Sequence, residues 1–254
     1  MHHNLNRNNS MNRKISFMML YLLTSLCIIS CGKSETNPNV LKVGLSADYP
    51  PFAFKHNGKL QGLDIDLIEA LGQKIHASVI FKEMDFHAIL PALTTGRIDL
   101  GISGITASEE RKQNVNFSDT YFESIYSIIT HKNSSIKSIA HLPGLKLGAQ
   151  LGSTMEKFAK TLHNVKILAH NTNPTLLQEL KLCRIDGVIT EYMQAIEFCK
   201  VNSKLTYHVI GSTDEGYAMA FPKNSPWQAK ITTALNELKQ CHQIDILTQK
   251  WIVG

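Results

Sequence analysis

The sequence predicts an α/β protein of two lobes, each a mainly parallel sheet flanked by helices. Three observations carry this. Short β-like runs alternate with amphipathic helical ones from Leu41 onward, the alternation begins again after Ser134, and a short polar stretch, Asn133-Ser134-Ser135, separates the two halves. A chain of 254 residues is long enough for two lobes of about 100 residues with cores of their own. At 43% hydrophobic and 19% charged residues the composition is globular and excludes a disordered, collagenous or disulfide-scaffold chain.

In the first half, Leu41 to Leu45 reads as a strand, followed by an aromatic and proline turn, Asp48-Tyr49-Pro50-Pro51-Phe52-Ala53-Phe54. Asn57-Gly58 is a hairpin signal, because both positions of the favoured two-residue turn need a positive φ. Leu63, Leu67, Ile68 and Leu71 recur at helical spacing up to Gly72, Val79 to Phe81 reads as the next strand, and Phe86 to Thr95 as a second amphipathic helix stopped by Gly96. Ile98 to Ile105 is expected as a buried strand. In the second half, Leu147 to Gln150 reads as a strand, Met155 to Leu162 as a helix, Val165 to Leu168 as a strand, Pro174 to Cys183 as a helix and Gly187 to Ile189 as a strand. After Ala218-Met219-Ala220-Phe221 the chain closes with a helix from Pro226 to Lys239 and a short one reaching Trp251, which periodicity alone assigns to neither lobe.

The N-terminus reads as a secretory leader. Arg13 and Lys14 precede an apolar run from Ile15 to Ile29 of about 15 residues, short for a membrane span but right for a signal-peptide core. Met11 is a second possible start. The leader ends at Ile28-Ile29-Ser30-Cys31-Gly32, which resembles a bacterial lipobox, with Ile28 where that motif usually has Leu; the resemblance implies acyl chains on Cys31. A simple signal peptide with a chance cysteine is the plainer alternative. The expected division is therefore leader 1–30, tether 31–40, first lobe 41–130 plus 222–254, and second lobe 131–221. Subtracting Arg7, Arg13 and Lys14 from the formal charge of +5 leaves +2, which gives no support to a nucleic-acid partner. Beyond the leader, Cys183, Cys199 and Cys241 allow one bridge at most and are expected to be structural. Neither they nor the histidines have metal-site spacing, so no metal or cofactor is expected.

Four groups of residues carry chemistry. Gly101-Ile102-Ser103-Gly104-Ile105-Thr106 ends a strand in small residues and hydroxyls, and Arg111 follows in a short helix; exposed N–H groups, hydroxyls and a planar guanidinium make a carboxylate site. Gly152-Ser153-Thr154-Met155-Glu156 again follows a strand, with Ser153 and Glu156 at capping-box spacing. Tyr49 and Phe86 offer aromatic faces, Tyr49 held out of any periodic apolar face by its prolines. Glu191 follows a buried strand and offers a carboxylate to an ammonium group. Each has a plain structural alternative in a turn, a cap or a solvated strand end. Two anion-receptive turns, one per lobe and both at the carboxyl ends of strands, fit a ligand in the crevice between lobes.

Together these segments resemble the polar amino-acid-binding proteins of ABC transporters, bacterial solute-binding proteins of the type II periplasmic fold. The resemblance runs from Leu41 to the end, on Tyr49-Pro50-Pro51-Phe52, Gly62-Leu63-Asp64-Ile65-Asp66-Leu67, Phe86 to Leu93, Gly96-Arg97-Ile98-Asp99, Glu110-Arg111, Phe117-Ser118, Tyr121-Phe122, Gly152-Ser153-Thr154 and Arg184-Ile185-Asp186-Gly187. It implies that Arg111 pairs with a ligand α-carboxylate, helped by Thr106 and Thr154; that Glu191, where the family usually has Asp, holds the α-ammonium with Gly104 and Thr106; and that Tyr49 and Phe86 stack on the ligand side chain. It also implies a chain that crosses twice between lobes, near Ile129 to His131 and Phe221 to Lys223, so that the C-terminal segment rejoins the first lobe, and lobes that close like a hinge.

The Tyr-Pro-Pro-Phe turn, Gln150 and the Gly-Ser-Thr loop are most similar to the arginine-binding branch, and two aromatic faces suit a guanidinium. L-arginine is the expected ligand, delivered to an ABC permease and its ATPase by an exported, membrane-anchored monomer. Ser46 stands where many basic-amino-acid binders have an acid, with Asp48 a possible substitute, so glutamine or another polar amino acid is the alternative ligand. A ligand-sensing surface lipoprotein is a second alternative and a cyclohexadienyl-dehydratase-like enzyme a third; no nucleophile triad is legible and no catalytic residue is assigned.

Overall fold

The computed structural model describes residues 39–253. The expected leader, Cys31 and the tether as far as Pro38 lie outside the described residues. In chain order the first half runs β1 (Val40–Leu45), β2 (Asp48–Tyr49), β3 (Ala53–His56), β4 (Lys59–Gln61), α1 (Leu63–Lys74), β5 (Ser78–Glu83), α2 (Ile89–Thr94), β6 (Leu100–Gly101), α3 (Glu109–Lys112) and β7 (Asn116–Phe117). The second runs β8 (Ile125–His131), β9 (Lys146–Gln150), α4 (Thr154–Thr161), β10 (Lys166–His170), α5 (Asn173–Lys181), β11 (Gly187–Glu191), α6 (Tyr192–Lys200) and β12 (Leu205–Ser212). The chain then returns through β13 (Ala220–Phe221) to α7 (Gln228–Gln240) and α8 (Gln243–Thr248).

Two five-stranded sheets result, in the orders β5-β1-β6-β13-β7 and β10-β9-β11-β8-β12, with β2, β3 and β4 forming a small antiparallel sheet. In each large sheet a single strand runs against the others, β13 in the first and β8 in the second. All of β8 from Ile125 pairs within the second sheet, and β13 already lies in the first. Between the two large sheets lie the stretches from Phe117 to Ile125 and from Ser212 to Ala220. The first described pairing is Val40 with Ser78.

Helices cover both faces of the sheets because the strands alternate apolar residues to both sides. In the second lobe Ile128 and Ile189 pack with Met155 and Ala159 of α4, whereas their neighbours Ile129 and Val188 pack with Leu176, Leu177 and Leu180 of α5. In the first, Leu41, Val43, Leu100 and Phe221 pack against Leu67 and Leu71 of α1 and Ile231, Leu235 and Leu238 of α7. Each such side chain contributes about 1.5–3 kcal/mol on burial, so α7 belongs firmly to the first lobe. The last turn is tied there as well, with Trp251 Nε1 and Lys250 Nζ donating to Asp66 Oδ2 at 2.7 and 2.6 Å.

Asn57 and Gly58 take φ of 49° and 76° between β3 and β4, as the hairpin signal requires. The expected strand Ile98 to Ile105 shrinks to Leu100–Gly101, because the chain turns at Gly104. The helix expected from Phe86 to Thr95 is a 3₁₀ turn, Phe86–Ala88, followed by α2. The three described cysteines are free, and Cys183 and Cys241 are exposed rather than packed in a core.

Candidate binding cleft

A pocket opens where the carboxyl ends of the two sheets meet, lined from the first lobe by Tyr49, Phe86, Gly104 and Thr106 and from the second by Gln150, Ser153, Thr154, Met155, Asn173, Ile189 and Thr190. Gly104 makes its rim possible. It sits at φ +58°, and a Cβ there would come within 2.6 Å of Tyr49 Cε1. Its N–H donates to Asp64 Oδ2 at 3.2 Å, and Tyr121 donates to Asp64 Oδ1 at 2.8 Å. Asp64 is completely buried near the start of α1, and that burial pushes its carboxyl up to about 7. Tyr49 in turn shares a 2.8 Å hydroxyl contact with Tyr217, both rings buried and held protonated by that burial.

Ser108 caps α3, its Oγ accepting the Arg111 N–H at 3.4 Å, and so starts the single turn that carries Arg111. The guanidinium donates to Thr106 O and to Gly152 O, both at 2.9 Å, and lies 5.6 Å from the centre of the Phe86 ring. Gly152 belongs to the second lobe, so Arg111 spans the cleft. Its partners are carbonyls and an aromatic face, while the neighbouring Glu110 pairs with Lys157 at 2.5 Å. Arg111 is half-buried, and loss of solvent draws its pKa down although Glu110 and Glu215 act the other way; a guanidinium whose hydrogen bonds go to carbonyls carries donors suited to an anion. Thr106 Oγ1 and Thr154 Oγ1 meet beside it at 3.1 Å.

Ser153 caps α4, accepting the Glu156 N–H at 3.1 Å and donating to Gln150 O at 2.6 Å. Glu156 completes the loop one residue further back than a capping box would, accepting the Gly152 N–H at 2.6 Å. Glu191 is the last residue of β11 and the cap of α6 rather than a residue after the strand. Its Oε2 accepts from Met193 N at 2.6 Å and Gln194 N at 3.3 Å, whereas Oε1 is buried with no partner among the described residues. Burial lifts this carboxyl from an ordinary 4.5 to about 7.

Ser46, Asp48 and Ser103 stand behind the pocket wall. Ser103 Oγ accepts the Ser46 N–H at 3.1 Å, and Ser46 Oγ donates to Asp48 Oδ1 at 2.5 Å. Asp48 Oδ2 accepts the Asn173 N–H across the cleft at 3.2 Å, and burial raises its pKa. Sequence reading passed over Asn173 on the wall and Tyr217 beneath it, and gave no role in binding to Met155, Ile189 and Thr190, which lie in or beside segments it did single out. Asp64 stood in the quoted segment Gly62 to Leu67 and was given no role there. For Tyr217 the adjoining apolar run Ala218 to Phe221 was the available signal.

No described helix is long and apolar enough to cross a membrane, and no described group of His, Cys, Asp and Glu could hold a metal ion. The sequence profile of the bacterial extracellular solute-binding proteins, family 3, matches residues 41–254. This chain belongs to that family. It is 35% identical to the arginine-binding extracellular protein ArtP of Bacillus subtilis (strain 168) over 249 residues, 92% of this chain and 98% of that protein. Among solved structures, an ancestral arginine-binding protein bound to arginine superposes with a TM-score of 0.80 at 42% identity, covering 84% of this chain and 98% of that one. An ancestral arginine-binding protein bound to glutamine gives 0.81 at 41%, covering 85% and 99%. The fold is accordingly the two-lobed type II periplasmic-binding-protein architecture.

Proposed function

We propose that this chain captures an L-amino acid, arginine in preference to others, between lobes that close on it, and presents it to the permease and ATPase of an ABC importer. The observation that carries the reading is a pair of groups: Arg111, a half-buried guanidinium that donates to carbonyls of both lobes, and Glu191, a buried carboxyl whose Oε1 has no partner among the described residues. A zwitterion supplies what both lack: an α-carboxylate for Arg111, Thr106 and Thr154, and an α-ammonium for Glu191. Ser103 lies behind that end and supports the turn. Tyr49 and Phe86 flank the remaining space together with Gln150 and Ser153, and Asp48 stands behind that wall. Arginine is favoured because the aromatic faces suit a guanidinium, and because the arginine binders named above match most of the chain.

The first lobe in this reading takes the strands up to Phe117 and from Ala220 on, and the second those from Ile125 to Ser212. Cys31 carries the lipid anchor, the protein works outside the cytoplasm, and it acts as a monomer. The test is calorimetry on Arg111→Ala. It leaves a ligand carboxylate in the cleft without its charge partner, so binding should fall by several kcal/mol, about a thousandfold or more. A variant that binds arginine within a few-fold of the wild type would remove Arg111 from the site.

A further inference from the structure

Two carboxyl or amide oxygens at the cleft are buried without a partner among the described residues, Glu191 Oε1 and Asn173 Oδ1. The first is the ammonium acceptor of the reading above; the second has no part in it. Asn173 is only 2% exposed, lines the pocket, and opens α5 directly after its Thr172 cap.

The orientation of its amide follows from a chain of hydrogen bonds rooted in the backbone. Asn171 O can only accept, so Gln150 must turn Nε2 towards it, at 3.1 Å. That leaves Gln150 Oε1 facing Asn173, which must answer with Nδ2, at 3.2 Å. Oδ1 is what remains, and it can only accept. The Asn173 N–H meanwhile donates to Asp48 Oδ2, which seats the residue against the turn that carries Tyr49. No hydrogen bond joins this group to Arg111, Thr106 or Thr154. It forms a separate, acceptor-rich end of the pocket.

Resting on the amino-acid reading, we propose that Asn173 Oδ1 accepts an N–H from the ligand's side chain, and that this makes it a specificity-determining residue favouring side chains that end in a nitrogen donor. The physical basis is asymmetric: a buried acceptor built to receive an N–H rejects an analogue that offers a methyl group or another acceptor, because the oxygen is then desolvated for nothing. Arginine and glutamine both supply the donor; norleucine does not.

The test compares arginine, glutamine and norleucine by calorimetry on the wild type, Asn173→Leu and Asn173→Asp. The wild type should bind both nitrogen-bearing ligands more tightly than norleucine. Asn173→Leu should weaken them by about ten- to a hundredfold while leaving norleucine nearly unchanged. Asn173→Asp keeps an acceptor in place and adds an acid in the first turn of a helix, where it is tolerated, but it loses the donor to Gln150 Oε1, so its readout is the arginine-to-glutamine ratio, which should rise because arginine alone brings a cation. An equal loss for all three ligands in Asn173→Leu, or no loss at all, overturns the proposal. If that variant does not fold, an unchanged or lower ratio in Asn173→Asp does the same. A wild type that binds none of the three refutes the amino-acid reading itself, and the proposal with it, before any variant is compared.

Discussion

Arg111 and Glu191 face opposite electrostatic problems, a cation with neutral partners and a carboxyl too buried to ionise easily, and one zwitterion resolves both. The Glu191 carboxyl sits at about 7, and only its ionised form attracts an ammonium. Amino-acid affinity should therefore rise from about pH 5.5 to about pH 8, and binding near neutrality should release a proton. Titrations in buffers of different ionisation heat would show this; a flat profile, or proton uptake, would contradict it. Glu191 and Asp64 also act on stability, and the sign is the reverse of a salt-bridged acid. Their folded values near 7 lie above the ordinary 4.5 and 3.8, so the folded state holds more protons between those limits and stability falls as pH rises through that window. Asp64→Asn tests the supporting bonds: an amide can accept from Tyr121 or from Gly104 but not from both, and unfolding should show a loss of about 1–3 kcal/mol. At this scale the Arg111, Thr106 and Gly152-Ser153-Thr154 segments were legible because glycines, hydroxyls and one guanidinium cluster along the chain. Asn173 was not, because its role depends on Asn171 and Gln150 holding its amide in one orientation, which no local pattern encodes.

The elements that position these groups are short and depend on their caps. α4 has eight residues, and Ser153 satisfies a free N–H at its start while tying Gln150 O to the same hydroxyl. Ser153→Ala should cost about 1–2 kcal/mol, seen as a lower urea midpoint at unchanged slope; a loss within error would mean that the helix is held by Met155 and Ala159 packing alone. Helices with a Ser or Thr cap and regular apolar spacing were readable from sequence, as α4 shows. α6 was not, because its cap is Glu191, whose long side chain folds back to the N–H groups of Met193 and Gln194 in a way that the usual start signals do not include. β8 and β12 also escaped reading. Both pair antiparallel at the far side of the second sheet, where the simple alternation of strand and helix breaks down.

The two lobes meet through few direct bonds. Arg111 reaches Gly152 O, Thr106 meets Thr154, Asn173 N reaches Asp48, Asn171 reaches Asp85 at 2.9 Å, and Lys157 pairs with Glu110 on the open surface. Exposed pairs of that last kind hold little by themselves. A ligand that binds residues of both lobes at once is then what shifts the balance towards closure, since it favours only the state in which both halves of its site are assembled. The division into two like halves was legible because the strand and helix pattern repeats. The central claim is that Arg111 and Glu191 form one zwitterion site with a side-chain pocket beside it. Its most direct test is calorimetry on protein unfolded, stripped of ligand and refolded, titrated in turn with arginine, lysine, ornithine, histidine and glutamine. The account predicts binding at a single site, tightest for arginine and absent for the same side chain lacking either α-group; silence towards all five, or equal binding of arginine without its α-carboxylate, would contradict it.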